Sequence, residues 1–265
     1  MIVSIITVNF NDAVGLERTI KSVISQTCPK KEFIIVDGSS SDGSIDVIKK
    51  YSDSINKWVS EPDSGIYNAM NKGIRMATGD YCIMMNAGDV FYSDDVLEKV
   101  KGRFETGKEI YNGNALYVCD GKIKWYRKCQ RDISTLFFYT SSICHQATFI
   151  KTSLLKKLQY DESYRMVSDW KFWVEAICLN HVEYEAMNID VCCFDWSGIT
   201  TKNHDLGIRE RQMVLESLFT AAENEKYKKL SEKKDYLKYI KDGICFWFWY
   251  YYACLFKIKK IRKYN

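Results

Sequence analysis

Hydrophobic and polar positions alternate in a regular rhythm over the first hundred residues. Ile2 to Val8 is a β-branched run bounded by Asn9 and Asn11, which predicts a strand. Asp12 can cap a following helix whose Leu16, Ile20, Val23 and Ile24 share one face. Phe33 to Val36 predicts a second buried strand, Ser39 to Gly43 a turn, and Ile45, Ile48 and Tyr51 a second helix. Trp58 to Ser60 predicts a short third strand. Ile66, Ala69, Met70, Gly73, Ile74 and Ala77 then predict an amphipathic helix with Asn68, Asn71, Lys72 and Arg75 on its surface. Tyr81 to Met85 is apolar throughout and predicts a fourth strand; Ser93 or Asp94 starts a helix carrying Val96, Leu97 and Val100.

Strands that are apolar on both faces and alternate with helices imply a parallel sheet covered on both sides. The fold expected is therefore α/β, a mainly parallel Rossmann-like sheet with helices on both faces. Ligands of such sheets bind beyond the carboxyl ends of the strands. That rule directs attention to the residues after Val8, Val36 and Met85.

From about residue 105 the alternation weakens. Tyr111 to Val118 and Lys122 to Tyr126 predict a hairpin, His145 to Ile150 and Val191 to Phe194 predict strands, and Asp169 to Leu179 predicts a helix. Residues 206–240 are mostly helical and charged. The expected division is 1–205, split into a first half 1–104 and a second half 105–205, followed by a helical extension 206–265.

The extension changes the picture through its charge. The formal net charge is only +4, but Lys226 to Asn265 hold twelve Lys/Arg and three Asp/Glu, so the tail carries +9 and the remainder −5. Ile244 to Phe256 is thirteen apolar or aromatic residues, short of the roughly 20 a spanning helix needs. Lys257, Lys259, Lys260, Arg262 and Lys263 follow at once. The segment reads either as a buried core helix or as a surface that docks on an anionic inner leaflet; the basic residues beside Trp and Phe favour docking through 244–263. No nucleic-acid partner is expected, because the basic residues do not line a groove of the main domain. The ten cysteines form no CxxC pair, so a zinc site is not expected. The N-terminus reads as a strand and not as a signal peptide, so the expected location is cytoplasmic, peripheral at the inner face of the membrane.

Three segments carry candidate chemistry. Asp37 closes the second strand and opens Gly38-Ser-Ser-Ser-Asp-Gly43. The sequence leaves two readings open, a loop of turn formers or a carboxylate that accepts a base N–H. Asp63 or Ser64 precedes the amphipathic helix, either as a simple cap or at a helix N-terminus that favours phosphate. Asn86-Ala-Gly88-Asp89 follows the fourth buried strand, and a carboxylate there suits Mg²⁺ or Mn²⁺ held together with diphosphate oxygens. Neither GxGxxG nor GxxxxGK[ST] occurs.

Taken in order, Ser4-Ile-Ile-Thr-Val-Asn-Phe10, Ile35-Val-Asp-Gly-Ser-Ser-Ser-Asp-Gly43, Asp63-Ser-Gly-Ile-Tyr-Asn-Ala-Met-Asn-Lys-Gly73, Gly79-Asp-Tyr81 and Asn86-Ala-Gly-Asp89 resemble the N-terminal half of family 2 inverting glycosyltransferases of the GT-A fold. The likeness covers residues 1–100 and, more loosely, 140–195. It implies a donor site in which Asp37 holds the base, with Thr7 and Asn9 at the same pocket and Asp63 nearby. Asp89 is implied as the last carboxylate of the family's metal-binding DxD motif, with Asn86 where an Asp is often found and Gly88 directly before Asp89. Phosphate contacts would fall to Lys72 or Arg75. The family's base is an Asp or Glu at a helix start, which Asp169 matches, with Asp161 and Glu162 as alternatives and an ordinary N-cap as the bland reading. His145, in Cys144-His-Gln-Ala-Thr-Phe149, is similar to a pattern in relatives active on bacterial surface polysaccharides, and is expected at a diphosphate, a metal or the acceptor. Trp170 and Tyr164 are candidates for stacking on an acceptor sugar.

The function so implied is inverting transfer of a hexose-type sugar from a nucleoside-diphosphate donor, UDP-linked by family habit and GDP-linked as the alternative, to a lipid-linked glycan. Mn²⁺ or Mg²⁺ is the implied cofactor. The rival readings are a sugar nucleotidyltransferase and an inactive nucleotide-binding module. The first strand lacks the Gly-rich basic loop of the former, and the retained Asp37, Asp89 and Asp169 argue against the latter.

Overall fold

A computed structural model describes residues 1–119, 122–195 and 204–233. The chain divides into two compact units, Met1–Leu218 and Phe219–Asn265.

In the first unit β1 (Val3–Asn9), β2 (Lys31–Asp37), β3 (Lys57–Ser60) and β4 (Tyr81–Met84) form the parallel half of the sheet, in the order β3-β2-β1-β4. Every residue of β1 and β4 is buried, which is why these strands lack polar alternation. Helices α1 (Ala13–Ile24), α2 (Ser44–Lys50) and α3 (Ile66–Met76) make the crossovers. Asp12 caps α1 as the sequence predicts, its carboxylate accepting from Gly15 N at 2.9 Å. Gly73 lets α3 lie close on β1, for a Cβ there would meet Ile6 Cγ2 at 2.3 Å.

Beyond β4 the sheet turns mixed. It continues through β8 (Thr148–Lys151), β6 (Ile110–Cys119), β9 (Tyr184–Asp195) and the two-residue β5 (Val90–Phe91), while β7 (Lys122–Arg127) pairs only with β6 among the described strands. The β4–β8, β8–β6, β6–β7 and β5–β9 pairings are antiparallel; β6–β9 is parallel. Helices α4 (Val96–Lys101), α5 (Thr135–Thr140), α6 (Thr152–Leu158), α7 (Ser168–Trp173) and α8 (His204–Leu218) complete the unit. The α/β fold expected from the sequence is the fold observed.

Three expectations shift. The strand expected from His145 begins only at Thr148, because 145–147 form a 3₁₀ turn in which the Cys144 carbonyl accepts from Ala147 N and from Thr148 Oγ1. The helix expected over 169–179 is α-helical to Trp173 and π-helical from Val174 to Leu179. Asn71, expected on the surface, is buried, because its amide donates to the Tyr160 carbonyl and accepts from Tyr160 N. Helix α8 is tied to the first unit, where Glu210 accepts both Arg165 N at 2.9 Å and Met166 N at 2.8 Å.

In the second unit residues 221–233 are helical, with Phe219 and Tyr227 in edge contact. The segment 244–263, to which the sequence assigns membrane docking, lies outside the described residues. Among the described residues no helix is long and apolar enough to cross a membrane.

Candidate active site

The ends of β1 and β2 lie in register, with Asn9 opposite Asp37. Asp37 is completely buried and takes four donors. Oδ1 accepts from Asn9 Nδ2 at 2.7 Å and Ser40 Oγ at 2.6 Å; Oδ2 accepts from Ser40 N at 2.9 Å and Ser60 Oγ at 2.7 Å. Burial opposes its ionisation, but these hydrogen bonds outweigh that and hold the carboxyl below its usual range. A base that engages Asp37 directly must displace one of these donors. Beside it, Thr7 Oγ1 and Asn9 Oδ1 are buried with no hydrogen-bond partner, two polar atoms left for a ligand.

Gly38 allows the loop after β2 to meet the loop before α3, since a Cβ there would come within 2.6 Å of Asp63 Oδ2. Asp63 itself accepts from Gly65 N at 2.9 Å. Lys72 points back onto the same loop, 2.8 Å from Glu61 Oε1 and 2.9 Å from the Pro62 carbonyl. For Lys72 to meet a donor phosphate, that pair has to open.

After β4 the chain makes a tight turn. Asn86 N donates to Asp89 Oδ2 and Asp89 N to the Asn86 carbonyl, each at 3.0 Å. Gly88 adopts φ +97°, the left-handed region that glycine tolerates without strain. Thr19 of α1 pins this turn from below: its hydroxyl accepts from Gly88 N at 3.0 Å and donates to the Asp89 carbonyl at 2.7 Å. No sequence motif singled out Thr19; its place on the buried face of α1 was the one signal. Asn86 Oδ1 is buried and has no partner. An unsatisfied amide oxygen beside the Asp89 turn is a donor set suited to a hard divalent cation, with the remaining ligands left to other oxygens. No cluster of three or more His, Cys, Asp or Glu exists among the described residues.

From this turn a hydrogen-bonded line runs into the second half. Asn86 Nδ2 lies 3.4 Å from His145 Nε2. His145 Nδ1 donates to Asp169 Oδ2 at 3.2 Å, and Tyr67 Oη donates to Asp169 Oδ1 at 2.9 Å. Asp169 stands in the first turn of α7, whose N-cap is Val167 with no side-chain bond. The carboxylate is therefore spent on His145 and Tyr67 and not on capping its helix. Burial disfavours its charge, yet the bond to His145, aided by Tyr67, holds it below the ordinary carboxylate range. Burial likewise disfavours the imidazolium, but Asp169 holds His145 above its usual value. Burial and Asp169 together push the Tyr67 hydroxyl well up, so it stays a proton donor. Tyr67 was missed from the sequence, where it lies within the α3 segment without a role.

Trp170 lies in the protein interior. Its ring is 2% exposed, and Nε1 donates to the carbonyls of Phe138 at 3.1 Å and Ser141 at 3.2 Å. The expectation of an acceptor contact there is corrected: Trp170 is a packing residue. Asp161 and Glu162 are held elsewhere, Asp161 by Ser163 and Lys171, Glu162 by Asn68 and Asn71.

Residues 4–167 match the family model described as glycosyl transferase family 2. Over 202 residues the chain is 30% identical to the PGL/p-HBAD biosynthesis glycosyltransferase of Mycobacterium bovis (strain BCG), covering 74% of this chain and 77% of that one. An uncharacterized glycosyltransferase of Methanocaldococcus jannaschii is 27% identical over 192 residues, 66% of this chain and 64% of the other. Among solved structures, S. aureus TarS 1-349 in complex with UDP-GlcNAc superposes with a TM-score of 0.62 at 17% identity, covering 75% of this chain and 59% of that one. The mannosyltransferase PcManGT from Pyrobaculum calidifontis, in complex with GDP-Man and Mn2+, gives 0.56 at 18% identity, covering 72% of this chain and 56% of the other. At these identities the two structures establish the fold.

Proposed function

The chain belongs to glycosyl transferase family 2 and is a glycosyltransferase, and on that premise we propose that it transfers a sugar with inversion from a nucleoside-diphosphate donor to a hydroxyl of a glycan acceptor, with Asp169 as the base. The observation that carries this reading is the placement of Asp169. It is held by His145 and Tyr67 at the end of a hydrogen-bonded line that begins at the Asn86–Asp89 turn.

In the reaction the acceptor hydroxyl attacks the anomeric carbon, the bond to the diphosphate breaks, and Asp169 takes the hydroxyl proton. An ionised carboxylate offers two lone pairs on each oxygen, so the bonds from His145 and Tyr67 leave room for one from the acceptor. The side chain is 18% exposed, enough for a hydroxyl to reach it. Its lowered pKa keeps it ionised at neutral pH.

On the donor side, Asp37, Thr7 and Asn9 form the pocket for the base, and Asp63 borders it. Asp89 and Asn86 are the residues that would hold Mn²⁺ or Mg²⁺, which supplies positive charge to the departing diphosphate. UDP is the favoured nucleotide; the UDP-GlcNAc and GDP-Man complexes of the two structures of similar fold support a nucleotide sugar without choosing between the bases. A lipid-linked acceptor of a cell-surface glycan, met at the inner membrane face, is supported by the aromatic-basic pattern of 244–263.

A screen of UDP- and GDP-sugars with Mn²⁺, reading donor hydrolysis and nucleotide binding, tests the proposal. Turnover of one donor class is expected; neither turnover nor nucleotide binding with any donor would overturn it.

A further inference from the structure

Two arginines are linked through Ser141 and Trp170 to the residue next to Asp169, and the mechanism above uses neither. Arg211, on α8, lies with its guanidinium carbon 5.0 Å from the centre of the Trp170 ring. Arg127, at the end of β7, donates from Nη1 to the Tyr117 hydroxyl at 2.9 Å and from Nη2 to Ser141 Oγ at 3.2 Å and the Ser142 carbonyl. The same Ser141 offers its carbonyl to Trp170 Nε1 at 3.2 Å. Arg127, Ser141, Trp170 and Arg211 are thus one contiguous set, and Trp170 follows Asp169 directly in the chain.

Both guanidinium groups are half-buried, and among the described residues neither has a carboxylate within ion-pair distance. All of Arg127's acceptors are neutral oxygens, and the partner of Arg211 is an aromatic face. Burial first and then the charge of Arg127 pull Arg211 down, while the charge of Asp169 opposes them. Half-burying two like charges without a counter-ion costs free energy that an arriving anion recovers. A guanidinium fork matches phosphate or carboxylate oxygens, and two forks together match the double charge of a phosphate better than the single charge of a carboxylate.

We propose that Arg127 and Arg211, flanking the Ser141–Ser142 stretch beside Asp169, form a subsite for a phosphate group carried by the acceptor. The subsite sits on the acceptor side because Trp170, which joins the two arginines, follows Asp169 directly in the chain. It fixes the substrate class as a phosphate-bearing glycan or lipid, and it holds the hydroxyl near Asp169 by anchoring the charged group next to it. The inference rests on the reading of Asp169 as the acceptor's base.

The test is equilibrium binding of decyl phosphate, decanoate and decanol to the full chain, each with and without saturating UDP and Mn²⁺. The wild type should bind decyl phosphate, bind decanoate about tenfold more weakly and ignore decanol. Arg127→Gln and Arg211→Gln should each weaken decyl phosphate about tenfold while UDP affinity stays unchanged, and Arg211→Lys should recover part of the loss. Arg211→Lys also keeps the charge over Trp170, so it separates a lost contact from a misfolded chain. Decyl phosphate binding that ignores both Gln variants overturns the subsite, as does decanoate binding as tight as decyl phosphate. A parallel fall in UDP affinity assigns the arginines to the donor and also overturns it. Failure of the wild type to bind UDP, with decyl phosphate still bound through both arginines, would strike the donor reading and leave the subsite standing.

Discussion

His145 Nδ1 donates to Asp169 Oδ2 across 3.2 Å, and this contact favours the charged form of the carboxylate proposed above as the base. The two residues are 24 apart in sequence, on the 3₁₀ turn before β8 and the first turn of α7. Each biases the other toward its charged form: the imidazole lowers the carboxyl and the carboxylate raises the imidazole.

His145→Gln removes the charge that lowers Asp169, so the carboxyl pKa rises toward or above its ordinary value. The acid limb of kcat/KM, which reports the ionised base, should then move to higher pH. A pH profile of transfer by the variant checks this, and an unmoved acid limb would show that His145 does not set the state of Asp169.

Thr19→Val keeps the shape of the side chain but removes the hydroxyl that holds Gly88 N and the Asp89 carbonyl. The turn should loosen at a cost of about 1–3 kcal/mol for the buried groups left unpaired. Mn²⁺-dependent nucleotide affinity should fall about tenfold or more, as when groups that orient a metal ligand are removed. Calorimetric titration of UDP with and without Mn²⁺ measures both; equal affinity in variant and wild type would mean that the turn does not serve the ion.

Glu32 supports the opposite, amino-terminal edge of the sheet, where Ser4, Lys57, Thr78 and Gly79 N all donate to it. Burial opposes its charge, but these donors, Lys57 first, lower its pKa from 4.5 to about 2. A depressed folded pKa gives stability that is present above the unfolded value and lost as pH falls through the folded one. The melting temperature should therefore drop between pH 4.5 and about 2, and Glu32→Gln should flatten that drop while lowering stability at neutral pH. A variant whose acid unfolding matches the wild type would contradict this.

The parallel half of the sheet was legible because its strands are apolar on both faces and its helices have one-sided apolar stripes. Asp37 could be located because it ends β2, and Asp89 because it closes the turn that follows β4. The links between halves could not be read that way. Asn71 lies on the polar side of α3 by spacing, and only its bonds to Tyr160, 89 residues away, bury it. Tyr67 meets Asp169 across 102 positions and Thr19 meets Asp89 across 70, separations at which periodicity carries no information. Trp170 misled because an aromatic at a helix start beside a candidate base suits a sugar platform equally well. The carbonyls that claim its indole N–H, from Phe138 and Ser141, are visible only in the folded chain.

Asp169→Asn tests the central claim most directly, read as Mn²⁺-dependent turnover of the preferred nucleotide sugar beside UDP affinity in the same preparation. The amide keeps the shape and can still accept from Tyr67, but it cannot take the acceptor's proton. Turnover should fall by about 10²- to 10⁴-fold with UDP affinity unchanged. Full turnover by Asp169→Asn would contradict the account.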